Sequence, residues 1–69
     1  MIEPSDELLQ KAIVAACEAT GRGAYESDLD WARENLRYAK TGRRAQITRW
    51  GWVVIGYVAA HKDMEKDNV

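Results

Sequence analysis

Sixty-nine residues with one cysteine and one histidine make a single small domain that has neither an internal disulfide nor a paired set of metal ligands to stabilise it. A chain this short buries only about 60% of the surface its unfolded form exposes, which leaves association with a second copy as the route to a robust fold. The formal net charge of −1 hides a strong polarity: residues 1–34 carry −5, residues 35–62 carry +6 and residues 63–69 carry −2, a pattern that points to binding and specifies no chemistry.

The start, Met1 to Glu7, is acidic and lacks the basic region of a signal peptide, so a cytoplasmic protein is expected. Ser5 followed by Asp6 and Glu7 reads as an N-cap and an acidic first turn. Leu8, Leu9, Ala12, Ile13, Ala16 and Cys17 then recur at helical spacing, and Gly21 closes the segment, which predicts helix 1 over 6–20. After the link Gly21-Arg22-Gly23-Ala24, Ser27 with Asp30 three positions on resembles a capping box and predicts helix 2 over 28–40. Its inner face is Leu29, Ala32, Leu36 and Ala39, while Trp31 and Tyr38, seven apart, share a second face.

Thr41-Gly42 marks a break, and helix 3 is expected over 44–64. Arg43 and Arg44 then stand at its positive end, a misfit of about 0.3–1 kcal/mol each if exposed, which the acidic N-terminal helix of this or another subunit, or a partner, would relieve. Residues 52–58 fit two readings. As a helix, Ile47, Trp50, Val54, Tyr57, Val58 and His61 line one face, and Trp52, Ile55 and Ala59 line another. A helix apolar on two sides needs cover on two sides, which argues for a dimer. As a strand, the β-branched and aromatic content is right, and Gly51 and Gly56 would each cost a helix about 1 kcal/mol. Gly56 and Ala60, four apart, would let another helix approach closely. The apolar run Trp50–Ala60 has eleven residues, well short of the ~20 a membrane span needs. Residues 65–69 are expected to fray. The expected architecture is all-α: one domain over 1–69 of two to three helices, forming a homodimer.

His61 has no carboxylate or second ligand at a diagnostic spacing, and Cys17 lies in an Ala-rich stripe where a free cysteine packs as a small hydrophobe. No phosphate loop or nucleophile–base arrangement is present, so no enzyme activity, metal or cofactor is expected. Tyr38, Arg43, Arg44 and Arg49 are the candidate exposed contacts, joined by Trp31, since Trp, Tyr and Arg dominate binding hot spots. Asp28 and Asp30, with Glu34, are the candidate acids for engaging a basic partner. Trp50, Trp52, Ile55 and Ala59 are the candidate dimer interface.

Thr41 to Trp50, ending in Ile47-Thr48-Arg49-Trp50, partly resembles the turn and recognition helix of phage-repressor helix-turn-helix domains. Gln46, Thr48 and the arginines are side chains of the kind that read base edges and phosphates, so direct nucleic-acid binding is the alternative function. In size, charge polarity, aromatic content and expected helical dimer, the whole chain resembles the small phage-encoded inhibitors of host proteins, such as the quorum-sensing anti-activators of Pseudomonas phages. That resemblance implies a non-enzymatic protein that binds the DNA-binding domain of a LuxR-type host regulator (LasR) and a pilus-assembly ATPase (PilB). It would thereby suppress quorum sensing and twitching motility.

Overall fold

Ser5 opens the first helix as its spacing predicts. Its backbone is extended, and its hydroxyl accepts the Leu8 N–H at 3.2 Å. In the computed structural model, which describes residues 4–67 and side chains as far as His61, three helices follow one another: α1 (Asp6–Thr20), α2 (Asp28–Lys40) and α3 (Arg49–Asp67). A single 3₁₀ turn at Arg44–Gln46 stands between α2 and α3, and no strand occurs among the described residues. The small all-α domain is therefore as expected, and residues 52–58 are helical. Residues 1–3 of the acidic start, and 68–69 of the end expected to fray, lie outside the described residues. No helix among the described residues is long and apolar enough to cross a membrane.

The first two helices end alike. Gly21 and Gly42 take positive φ values of 69° and 77°, and the next residue turns back to bond the helix: Arg22 N–H to Cys17 O at 3.0 Å, Arg43 N–H to Tyr38 O at 2.8 Å. This is the Schellman closure that a left-handed glycine permits. The start of α2 departs from expectation. Ser27 already has helical backbone angles and its side chain makes no capping bond. The Asp28 carboxylate instead accepts the Tyr25 N–H at 2.9 Å.

The third helix begins at Arg49, five residues later than predicted. After Gly42 the chain makes its 3₁₀ turn, and Ile47 is extended and buried. Burying that side chain takes its backbone out of the helix. Thr48 then supplies the cap, its hydroxyl accepting the Gly51 N–H at 3.0 Å.

The α1 stripe packs mainly against α3, and α2 lies across both. Leu8, Leu9, Ala12, Ile13 and Ala16 meet Ala32, Trp50, Val54 and Val58, with Leu29, Leu36, Val53 and Tyr57 at the margin. Leu9 and Val54 are fully buried, each stabilising the fold by roughly 1.5–3 kcal/mol relative to exposure. Trp50 belongs to this core, with 6% of its surface exposed, so it does not serve as a dimer contact. It faces inward because it stands one turn before Val54 on the buried side of α3. Gly51 is buried as well. A Cβ there would lie 2.3 Å from Asn35 Oδ1, so this glycine lets α2 and α3 approach and does not signal a strand.

Candidate protein-binding surface

Arg22, in the link between α1 and α2, is used up inside the molecule. Its guanidinium donates to Asp28 Oδ1 at 2.7 Å, to Asp28 Oδ2 at 3.1 Å and to the Gly23 carbonyl at 2.7 Å. It also lies over the rings of Trp50 and Tyr25, 4.7 and 5.0 Å from their centroids. Arg22 holds the Asp28 carboxyl below its ordinary value through these hydrogen bonds, against the opposing effect of burial, and Asp28 raises Arg22 in turn. Asp28 is only 2% exposed, so its role as a partner-binding acid is corrected: it is a structural anchor. Cys17 also sits in more polar surroundings than its stripe suggests. The half-buried thiol accepts the Trp50 Nε1–H at 3.4 Å and an Arg22 N–H at 3.6 Å.

Beside this knot runs an open groove of about 460 Å³. Arg22, Asn35 and Trp50 line its inner part, Thr20 and Thr48 its sides, and Trp31 and Arg49 its exposed rim. Trp31 is 53% exposed. Its backbone is fixed by buried Asn35, whose amide donates to the Trp31 carbonyl at 2.8 Å and whose oxygen accepts the Thr48 N–H at 3.4 Å. One side chain thus positions both the tryptophan of α2 and the entry to α3. Tyr38, on the same face of α2, is half-buried.

The connection from α2 to α3 carries the other candidates. Lys40, Arg43, Arg44 and Arg49 are all exposed, and none forms an ion pair among the described residues. The remaining cations of the described side chains do: Lys11 with Glu7, Arg22 with Asp28, Arg33 with Asp6, Arg37 with Glu34. Helix α1 therefore does not neutralise the basic turn. Because α3 starts late, Arg49 and not Arg43 or Arg44 occupies the positive first turn, which holds no acid. Of the candidate acids, Asp30 is exposed and Glu34 half-buried in its pair with Arg37.

The structure thus brings together Trp31 and Arg49 across the groove, and leaves Arg43 and Arg44 on the exposed turn that leads to it. Trp52, Ile55 and Ala59 lie apart, along the outer side of α3. There Trp52 is 46% exposed, Ile55 half-buried and Ala59 exposed. His61 stacks on Tyr57, with ring centroids 4.0 Å apart, and its Nδ1–H donates to the Tyr57 carbonyl at 2.8 Å. Among the described residues no three His, Cys, Asp or Glu side chains come together as a metal site.

For a helix-turn-helix, residues 41–48 form a long connection, where that motif uses a turn of about 3–4 residues. Among the described side chains, the outward residues of α3 after Arg49 are Trp52, Gly56, Ala59 and Ala60, which offer base edges no polar group beyond the Trp52 indole N–H. Arg22 and Asn35 are the residues that sequence reasoning passed over. Asn35 was legible, since it shares the inner face of α2 with Asp28 and Ala32; Arg22, between two glycines, carries no spacing that reveals its partner. No family model matches the sequence, and no curated protein or solved structure matches it either.

Proposed function

We propose that this chain is a non-enzymatic binding protein that occludes a host protein, in the manner of the phage-encoded inhibitors it resembles. The observation that carries the reading is Trp31, more than half exposed on the rim of a groove shared with Arg49, on a backbone whose carbonyl accepts from the buried Asn35 amide. Tryptophan and arginine side chains are frequent energetic centres of protein interfaces. Arg43 and Arg44, exposed and without an ion pair among the described residues, extend this surface and favour an acidic face on the partner. With Asp28 sequestered, an acid-led contact to a basic DNA-reading helix would rest on Asp30 alone among the exposed candidates, so the cation-led face is the better supported. Tyr38 is a contact at the edge.

The resemblance supplies the class of target: a LuxR-type regulator, docked through an acidic flank of its DNA-binding domain, with a pilus ATPase as a second target, both met in the bacterial cytoplasm. The test is affinity capture of the tagged chain from bacterial lysate, with and without nuclease, read by mass spectrometry. A stoichiometric protein partner should survive nuclease and be lost with Arg43→Glu/Arg44→Glu. Trp31→Ala should weaken its capture by about tenfold or more, as expected for a hot-spot residue. Partners that vanish on nuclease treatment, with nucleic acid recovered, would overturn the proposal in favour of a DNA-binding regulator.

A further inference from the structure

The groove beside Arg22 has no acid in its lining, and its polar groups divide by depth. On the floor they are already engaged. Arg22 donates to Asp28 and to the Gly23 carbonyl, and Asn35 donates to the Trp31 carbonyl while its oxygen accepts the Thr48 N–H. The sides are similar: the Thr20 hydroxyl donates to the Ala16 carbonyl at 2.8 Å, and the Thr48 hydroxyl accepts the Gly51 N–H. No buried side-chain nitrogen or oxygen among the described residues is left without a hydrogen bond. The rim is the opposite case. Arg49 is exposed and has no ion pair among the described residues, and Trp31 presents an exposed indole.

That division specifies an occupant. A floor whose polar groups are satisfied accepts an apolar body, because a polar group buried there loses water and gains no partner. A rim guanidinium takes an anion, and its planar fork fits a carboxylate. At about 460 Å³ the groove falls toward the small end of the ~300–1,000 Å³ range of ligand sites, room for one large side chain. Nor does the positive charge stop at Arg49. Lys40, Arg43 and Arg44, on the stretch that leads to it, are exposed and without ion pairs among the described residues. One small acid leaves those cations unmet, whereas an acidic chain answers them.

We propose that the groove takes an aromatic side chain from an acidic segment of a partner protein. The ring packs against Trp31 over the Trp50 floor, the adjoining carboxylate sits on Arg49, and further acids follow along Arg43 and Arg44. This rests on the proposed binding role and names the chemistry of the segment bound. Single-stranded nucleic acid also brings rings and negative charge, but it stacks successive bases on exposed aromatic side chains. The groove offers one such ring, since Trp50 is only 6% exposed.

The test is a titration of the isotope-labelled full chain, followed by NMR, with a capped synthetic peptide that carries one phenylalanine followed by a run of aspartates. Control ligands replace the phenylalanine by serine, replace the aspartates by asparagine, or are a short oligothymidylate. The acidic peptide should shift the Trp31 indole N–H and leave that of Trp52, on the outer side of α3, in place. Each control peptide should bind at least about tenfold more weakly, and Trp31→Ala should weaken the acidic peptide by about tenfold or more. Arg49→Gln should remove most of the preference for aspartate over asparagine at the position next to the phenylalanine. Both side chains are exposed, so these variants should melt with the wild type, which separates loss of binding from loss of fold. No binding at millimolar peptide, equal binding without the ring or without the acids, a shift at Trp52 in place of Trp31, or tighter binding of the oligonucleotide would overturn the proposal. The peptide should also displace a protein captured from lysate through Trp31. Capture that the peptide does not displace would overturn this inference and leave the proposed function standing. Specific peptide binding with no protein captured would uphold the groove chemistry and remove the proposed function.

Discussion

Two short connections join the three helices, and each carries arginine, but the arginines have opposite fates. In the α1–α2 connection, Arg22 meets a buried carboxylate, a carbonyl and two aromatic rings. In the α2–α3 connection, Arg43 and Arg44 stand in water without an ion pair among the described residues, and Arg49 follows them into the positive turn of α3. The first arrangement spends a cation on holding two helices together. The second leaves Arg49 in a positive helix turn where the local field disfavours it, and none of the three cations meets an acid among the described residues. The difference shows that neither the residue type nor its place in a loop tells structure from function; the partner atoms do.

The largest effect should come from breaking the first junction. Arg22→Gln leaves the Asp28 carboxylate buried without its charge partner and should cost about 3–5 kcal/mol in urea unfolding, a large share of what a domain this size possesses. The same pair sets an acid limit. Asp28 titrates lower in the folded chain than its ordinary 3.8, so its contribution is fully present above that value. It is lost as pH falls through the lower native one. Asp28→Asn should flatten that part of the stability–pH curve, and an unchanged acid transition would show that the pair is not the source.

Next in size is Gly51→Ala. The added methyl drives into Asn35 and disturbs the bonds that place Trp31 and Thr48, for about 1–3 kcal/mol by thermal melting. Smaller still is the contrast between the two serines. Ser5→Ala should lose about 1 kcal/mol because its cap is made, whereas Ser27→Ala, with no capping bond to lose, should stay within about 0.5 kcal/mol. Equal losses at the two sites would contradict the capping geometry.

How much of this could be read from the sequence follows the range of the interactions. Both ends of α1 and the end of α2 were legible because a capping serine and two left-handed glycines act within one turn of the chain, whereas α2 starts at Asp28 without the Ser27 cap that predicted it. The start of α3 was not legible, because Ile47 takes an extended backbone and buries its side chain ahead of Arg49. Gly51 looked like evidence for a strand, since its reason lies sixteen residues back in Asn35. Asp28 passed for a surface acid for the same kind of reason, its partner Arg22 being concealed in an unremarkable link. Of the candidate contacts, Trp31, Arg43, Arg44 and Arg49 are exposed where the pattern put them, and Trp50 moved to the core because it shares the buried side of α3 with Val54 and Val58.

The contrast between the junctions is the central claim, and one comparison tests it most directly: capture of the protein partner by Arg43→Gln/Arg44→Gln set against wild type, with the melting temperature of each recorded on the same material. The double variant should melt with the wild type and capture at least about tenfold less partner. A double variant that captures as much as wild type, or that loses capture only because it has lost its fold, would contradict the account.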